Sequence, residues 1–315
     1  MKIKAVIALA LLVALAIYMG RRHWLRHDSH ATSNVDRPAA TRSSRPVLSP
    51  VTVETAHYTI ASTAAPAHTA RVAEVVESLY GAYTTFFRES LAIDPTQAKL
   101  KLVLYKDQRE FKAHNRSSPW AEAFYLAPRC HAYYADGHAN PYHWMVHEAT
   151  HQLNNEVAHF RRATWVDEGL ASYFGASQVQ ERTLSPGAID INTYPIWWLS
   201  SMALTGVLQD DIRNGRIIPL RDLLASGRGD ISRNVNLHYI GFWSLTHFLF
   251  HYQNGRYASR YKQLIAEGGS LENFERLVGP VDILQVEWYG YLQQKITEVS
   301  VRPGDDHVVL IHGEN

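Results

Sequence analysis

The stretch His147-Glu148-Ala149-Thr150-His151 carries two histidines four residues apart, with a glutamate directly after the first. On an α-helix this spacing places both imidazoles on one face, one turn apart, where they can ligate the same metal ion. Glu148 then lies beside them, where it can accept a proton from a water molecule bound to that ion. Pro141 suits the first turn of such a helix. We therefore predict a helix over residues 141–156 that carries a metal site.

A second segment, residues 165–174 (WVDEGLASYF), follows closely and predicts a second helix over 163–176. A catalytic zinc site takes three protein ligands and leaves one position open for water. Glu168 can supply the third ligand from this helix, and Asp167 is the alternative. The small residue Gly169 would let the two helices approach closely. Without a metal, the histidines would be satisfied in a partly buried helix, and Glu168 would be a solvated acid near a helix N-terminus.

Outside these two segments, the hydrophobic periodicity of residues 51–298 predicts a sheet first and helices afterwards. The predicted strands cover 51–60, 100–104 and one or two segments within 123–134. The predicted helices cover 68–90, a short helix opened by the capping pair Asp107 and Glu110, 195–206, 238–253 and several segments from 257 to 297. This order predicts an α+β fold, in which a small N-terminal mixed sheet with a helix precedes a mainly helical, zincin-like subdomain carrying the metal site.

A basic leader precedes an acidic body. Residues 1–50 carry eight Lys or Arg against two Asp, whereas the remaining chain carries 23 basic and 28 acidic residues. The apolar run Ala5–Met19 would be about 22 Å long as a helix, shorter than the roughly 30 Å hydrocarbon core of a bilayer. It therefore suits an uncleaved signal anchor or a cleaved export signal. We predict this leader over 1–27, a flexible linker over 28–50, a folded domain over 51–298 and a tail over 299–315.

Composition argues against several classes of protein and site. The body has no basic stripe, so we expect no nucleic-acid partner. The single cysteine, Cys130, rules out internal disulfides and thiolate-rich zinc sites, and we expect it to be a small buried residue. Serine-hydrolase and nucleotide-binding functions have no support, because G-x-S-x-G, P-loop and G-x-G-x-x-G motifs do not occur in the sequence.

The motif HEATH followed by WVDEGLASYF resembles the gluzincin metallopeptidases, the group that includes thermolysin and the zinc aminopeptidases. A looser likeness over roughly residues 52–296 resembles the bacterial peptidase-MA-like proteins, which are filed as domains of unknown function. The resemblance implies one Zn²⁺ ion, a general base at Glu148 and three ligands: His147, His151 and Glu168. It also implies a downstream donor to the oxyanion, for which Tyr239 matches the position and His238 is the alternative.

Some features depart from the gluzincin pattern or stay open. The G-x-M-E-N strand of the aminopeptidases is absent, which removes the acidic anchor for a free peptide amino terminus. The edge strand that aligns a substrate is expected within Ala123–Tyr134. Ser172 is a candidate to orient a ligand histidine. The segment Tyr194–Trp198 could line a substrate cleft or pack against helices. Three further histidines are not expected to be ligands: His131, His138 and His143.

The expected function is that of a zinc-dependent peptidase, which hydrolyses peptide bonds with a metal-activated water. Its partners would be a peptide or protein substrate and, through the N-terminal segment, the membrane. We expect the body to be exported to the bacterial cell envelope, or secreted if the leader is cleaved. The alternatives are a non-catalytic zinc-containing binding or assembly module of the envelope and a zinc hydrolase of a non-peptide amide.

Overall fold

A mixed sheet forms the N-terminal part of the described chain. The computed structural model describes residues 50–90, 98–115, 121–160 and 163–301. The predicted leader, nearly all of the predicted linker and most of the tail lie outside these ranges. The strands are β1 (Val51–Glu54), β2 (Tyr58–Ser62), β3 (Leu100–Tyr105), β4 (Ala123–Leu126) and β5 (Arg129–Tyr133). Their order is β1-β2-β3-β5-β4, so that β4 lies at one edge.

The two central pairings of this sheet are parallel and the two outer ones antiparallel. A parallel pair needs a crossover connection, and helix α1 (Pro66–Phe87) makes it between β2 and β3. Pro66 stands at the start of α1, where its missing N–H costs nothing. Val72, Val75 and Leu79 lie on the buried face of α1 and contribute to the main core. The predicted amphipathic helix is confirmed.

The predicted strand over 51–60 is in fact a hairpin, because the chain turns at residues 55–57. The Thr55 hydroxyl accepts a hydrogen bond from Tyr58 N at 3.0 Å. Glu77, on α1, receives hydrogen bonds from the Thr55 hydroxyl at 2.5 Å and from His57 N at 2.8 Å. A side chain from a distant helix therefore stabilises a turn that contains neither Gly nor Pro.

Helices dominate the remainder. They are α2 (Gln108–His114), α3 (His143–Glu156), α4 (Thr164–Gly175), α5 (Ile196–Leu199), α6 (Leu208–Arg213), α7 (Leu220–Ala225), α8 (Arg228–Ile231), α9 (Val235–His251), α10 (Ala258–Ala266), α11 (Leu271–Leu277) and α12 (Val281–Val301). The predicted α+β class, with a sheet first and helices afterwards, is confirmed. Among the described residues, no helix combines the length and the apolar character needed to cross a membrane.

Asp107 caps α2, but the predicted capping pair is only half formed. The Asp107 carboxylate accepts a hydrogen bond from Glu110 N at 2.7 Å. The Glu110 carboxylate bonds instead to the Thr63 hydroxyl and to Lys106 N, at 2.5 and 2.9 Å. Glu110 therefore ties the start of α2 to the end of β2.

Two further segments differ from the prediction. The helix predicted over 195–206 ends at Leu199, and the hydroxyls of Ser200 and Ser201 bond to the carbonyls of residues three positions earlier. Such bonds compete with helical ones. A hairpin of β6 (Ser177–Gln180) and β7 (Thr183–Ile189) follows α4 and was not predicted.

Candidate metal centre

Helices α3 and α4 run in opposite directions against each other and bring the motif residues together. His147, in the first half of α3, lies against Gly175 at the end of α4, whereas Asn154, near the end of α3, donates a hydrogen bond to Asp167 near the start of α4. Gln152 anchors α3 on the sheet, because its side-chain amide donates to the carbonyls of Lys101 and Pro128, each at 3.1 Å. Helix α3 is thus held between the sheet and α4.

Three ligand atoms form a nearly equilateral triangle. The Nε2 atoms of His147 and His151 lie 3.2 Å apart. Oε2 of Glu168 lies 3.4 Å from Nε2 of His147 and 3.5 Å from Nε2 of His151. A tetrahedral ion about 2.0–2.1 Å from each ligand atom would hold those atoms about 3.4 Å apart. The triangle therefore has the size that such an ion requires.

The surroundings of Glu168 also fit a cation. Its Oε2 atom is buried and accepts no hydrogen bond from the described residues. A buried acceptor without a donor is costly, and a cation at the centre of the triangle would satisfy it. One potential ligand atom from each of His147, Glu148 and His151 lies within 4.8 Å of the other two, so Glu148 stands close to both histidines. The buried group can hold a metal ion.

The charges around the triangle favour a positive centre. Burial by itself would lower the pKa of His151, but the carboxylates of Asp167 and Glu168 raise it well above its ordinary value. Burial by itself would raise the pKa of Glu168, but the two imidazoles, His151 foremost, hold it far below its ordinary value. Two carboxylates facing two imidazoles thus attract a proton or a metal ion.

Asp167 does not point into the triangle. One of its carboxylate oxygens lies 3.1 Å from Nδ1 of His151, the ring nitrogen opposite the one that faces His147. The same oxygen accepts a hydrogen bond from the Asn154 amide at 2.9 Å, and the Asn154 carbonyl oxygen accepts one from the Tyr83 hydroxyl at 2.8 Å. Asp167 is therefore placed to orient His151, and the alternative of Asp167 as a ligand does not fit this geometry.

Gly169 and Ser172, both on α4, do not have the roles expected of them, which were close helix approach to α3 and orientation of a ligand histidine. A methyl group on Gly169 would overlap the Thr246 hydroxyl of α9, so Gly169 permits close approach of α9 and not of α3. Gly175 is the residue that permits the approach of α3, because an added Cβ would lie 3.2 Å from Cβ of His147. The Ser172 hydroxyl is buried and has no hydrogen-bond partner among the described residues, so it orients neither histidine.

Glu148 lies between the triangle and the edge of the sheet. Its Oε2 atom accepts a hydrogen bond from the backbone N–H of Tyr125, on the edge strand β4, at 2.8 Å. That N–H therefore points away from β5, the partner strand of β4. An edge strand does lie within 123–134, and the side of β4 that faces away from β5 is turned toward Glu148. The expectation that this strand aligns a substrate stays a prediction.

Tyr239, in the first turns of α9, reaches the same centre. Its ring centroid lies 5.9 Å from that of His147. Burial and the carboxylates of Glu168 and Glu148 raise the pKa of Tyr239 well above its ordinary value, so the phenol keeps its proton. His238 is turned elsewhere, since its Nδ1 bonds to the Asn234 carbonyl at 2.8 Å and its ring packs on Phe242. Of the two candidate donors, the structure places only Tyr239 beside the triangle.

The remaining flagged residues have other contacts. His131 bonds to the Tyr105 hydroxyl at 3.1 Å and stacks on Phe124. His143 bonds through Nδ1 to the Asn140 carbonyl at 2.9 Å, and burial lowers its pKa to about 4. Cys130 is buried and free, as expected, and burial raises the pKa of its thiol.

Comparison with known proteins shows that part of the chain is similar to a family of unknown function. No curated protein matches the chain. A family model described as "Protein of unknown function (DUF1570)" matches residues 143–267. The matched region begins at the first residue of α3 and contains all of α4 and α9, and hence both histidines, both glutamates and Tyr239. The helical part that carries the site is thus similar to a family whose description assigns no function.

Proposed function

We propose that the protein is a zinc-dependent hydrolase that cleaves peptide bonds. One observation carries the proposal: the triangle of His147, His151 and Glu168 has an unsatisfied buried oxygen and the dimensions of a tetrahedral site. Three protein ligands leave the fourth position open, as catalytic zinc sites do and structural ones do not. A carboxylate oxygen of Glu148 lies within 4.8 Å of a ring nitrogen of both histidines, where a purely structural site has no use for it.

The donor set favours zinc over other common ions. Two imidazole nitrogens and one carboxylate oxygen suit Zn²⁺, whereas Mg²⁺ and Ca²⁺ prefer sites built from oxygen. Asp167 supports this choice, because a carboxylate on the second nitrogen of a ligand histidine fixes the ring and strengthens the ligand.

The proposed roles of the side chains follow from their positions. Zinc, when bound, acidifies a water molecule and polarises a carbonyl group. Glu148 accepts the proton of the attacking water and then delivers it to the amine that leaves when the peptide C–N bond breaks. Tyr239 donates a hydrogen bond to the carbonyl oxygen as negative charge develops on it. Its raised pKa keeps that donor protonated at neutral pH.

A peptide substrate is favoured by the edge strand beside Glu148. The unpaired side of β4 faces the site, as the N–H of Tyr125 shows by bonding to Glu148. An extended peptide can add to such an edge as a further strand. The scissile carbonyl would then lie beside the metal centre and the general base.

The test replaces the general base alone. We expect Glu148→Gln to keep one zinc per chain, because Glu148 is not a ligand, and to lower kcat by about 10²–10⁴-fold. Glu272→Gln, in the exposed first turn of α11, is the matched control and should leave both quantities unchanged. Zinc is measured by atomic emission and turnover on a quenched fluorogenic peptide library. Full activity of Glu148→Gln on any cleaved peptide would contradict the mechanism.

The same experiment separates the rival functions. Zinc binding without cleavage of any library member would favour a non-catalytic envelope module. Cleavage confined to amides outside the peptide backbone would favour the non-peptide hydrolase. The location at the cell envelope stays a prediction from the basic leader, whose residues lie outside the described part of the chain.

A further inference from the structure

Tyr125, on the edge strand β4, is bonded to helix α3 at both of its ends. Its backbone N–H donates a hydrogen bond to Oε2 of Glu148 at 2.8 Å. Its hydroxyl donates to Oε1 of Glu156 at 2.5 Å and accepts a hydrogen bond from the Asn155 amide at 3.0 Å. Glu148 and Glu156 lie about 12 Å apart along the helix axis. One residue of the strand therefore contacts two separate turns of the helix that carries the general-base candidate.

These contacts belong to one row of side chains on α3. Glu148, Gln152 and Glu156 follow one another at intervals of four residues, so they lie on one face of the helix. Gln152 bonds to the same hairpin, because its amide donates to the Pro128 carbonyl, between β4 and β5, at 3.1 Å. The neighbouring row, which begins at His147, carries both ligand histidines. Contacts that fix the first row on β4 therefore also fix where β4 lies relative to the metal centre.

The N–H of Tyr125 is what orients the Glu148 carboxylate. Among the described residues, no other group donates a hydrogen bond to that carboxylate. Hydrogen bonds to a carboxylate are stronger than those between neutral groups, and Tyr125 makes one with its N–H and another with its hydroxyl. Tyr125 and Glu156 are both partly buried, which limits competition from water. The phenol therefore holds the strand in the place where its N–H meets Glu148.

We propose that Tyr125 is a positioning residue: its phenol, held by Glu156, fixes β4 so that the Tyr125 N–H keeps Glu148 in the orientation that accepts the proton. This proposal rests on the proposed function. A general base must lie within hydrogen-bond reach of the proton that it takes. A displacement of about 1 Å, even one caused far from the reacting atoms, can cost about 10²-fold in rate. Tyr125 acts through Glu148 and does not itself contact the reacting atoms.

The kinetic test removes the hydroxyl and keeps the ring. On a fluorogenic peptide that wild type cleaves, we expect zinc-loaded full-length Tyr125→Phe to lose about 10–100-fold in kcat, with KM and zinc content close to wild type. Tyr257→Phe is the matched control, because it removes a phenol–carboxylate bond of the same length, to Glu287. Glu156→Leu should match Tyr125→Phe, whereas Glu156→Gln keeps an oxygen acceptor and should stay near wild type. Equal losses in Tyr125→Phe and Tyr257→Phe, or no rescue by Glu156→Gln, would overturn the proposal.

Hydrogen exchange separates this proposal from the proposed function, because it needs no cleavage. Exchange at the backbone amide of residue 125 is followed by mass spectrometry in the zinc-loaded full-length protein without peptide. We expect at least about tenfold faster exchange in Tyr125→Phe and in Glu148→Ala, which has no acceptor, and no change in Tyr257→Phe. Faster exchange in both variants supports the link between Tyr125 and Glu148 even if no peptide is cleaved, an outcome that contradicts the peptidase alone. Unchanged exchange in either variant overturns the positioning role, whether or not peptides are cleaved.

Discussion

The carboxylate of Asp167 lies 3.1 Å from Nδ1 of His151, so that Nε2 of the same ring is aimed at His147 and Glu168. A carboxylate in this position fixes the tautomer of a ligand histidine and raises its basicity. We expect Asp167→Asn to weaken zinc binding by about 10–100-fold, because the amide keeps the shape but lacks the charge. Competition with a chromophoric chelator measures the zinc affinity.

Asp282→Asn, in the exposed first turn of α12, is the control for this prediction. It removes the same charge from a position outside the site and should leave the affinity unchanged. The far-ultraviolet circular dichroism of both variants should match wild type. Zinc affinity equal to wild type in Asp167→Asn would show that the contact with His151 does not support the metal.

The second prediction concerns the phenol of Tyr239. Loss of one preorganised donor to an oxyanion costs about 10²–10³-fold in kcat, and we expect this loss in Tyr239→Phe with little change in KM or zinc content. His238→Phe is the comparison, because His238 bonds to the Asn234 carbonyl and faces away. Its activity per zinc-loaded folded chain should stay within a few-fold of wild type. The reverse ranking of the two variants would assign the donor to His238.

The residues that the sequence could identify are those whose geometry is local. His147, Glu148 and His151 lie within one turn and a half of a helix, so their common face follows from helical periodicity alone. The position of Asp167 on the far nitrogen of His151 depends on how α3 and α4 cross, which no spacing within one helix encodes. For that reason Asp167 was predictable as a nearby carboxylate but not as an orienting group.

The missed hairpin has a similar physical reason. Its β6–β7 turn consists of Glu181 and Arg182, and Glu181 adopts a positive φ of 52°. Sequence patterns for such turns rely on Gly, Asn or Asp at positive φ. Contacts with α1 support the turn instead: Arg71 donates to the Glu181 carbonyl at 2.6 Å, and the Arg182 guanidinium bonds to Glu74 at 2.9 Å. Contacts between α1 and the turn thus stabilise a hairpin whose own residues give no turn signal in the sequence.

The third prediction is acid sensitivity from a buried histidine on α9. Burial, reinforced by the nearby His251, lowers the pKa of His247 to about 3. In its neutral form the ring bonds to the Tyr291 hydroxyl at 2.6 Å and to the Gly187 carbonyl at 3.1 Å. The unfolded chain protonates this histidine near pH 6.5, whereas the folded chain protonates it only near pH 3. The contribution of neutral His247 to the free energy of unfolding is therefore complete above about pH 6.5 and is lost progressively as the pH drops toward 3.

Urea unfolding of metal-free protein between pH 7 and pH 4 tests this titration. Over that interval we expect the free energy of unfolding of wild type to fall by about 3 kcal/mol more than that of His247→Gln. The glutamine amide can keep both hydrogen bonds and does not titrate. A chelator in every sample removes the separate effect of acid on metal binding. Equal slopes for the two proteins would show that His247 is not the source of the acid sensitivity.

The last prediction compares two helical glycines. An added methyl group on Gly169 would overlap the Thr246 hydroxyl and lie 3.2 Å from the Phe242 carbonyl, whereas one on Gly290, in α12, would meet nothing within 4 Å. Alanine favours a helix by up to about 1 kcal/mol over glycine, so Gly290→Ala should stabilise the protein slightly. Gly169→Ala should destabilise it by about 1–3 kcal/mol, the usual cost of overpacking.

Gly169→Ala should also weaken zinc binding, because α4 must move away from α9 and carries the neighbouring Glu168 with it. Urea midpoints and zinc titrations of both variants measure the two effects, and stabilisation by both alanines would show that α9 does not position Glu168.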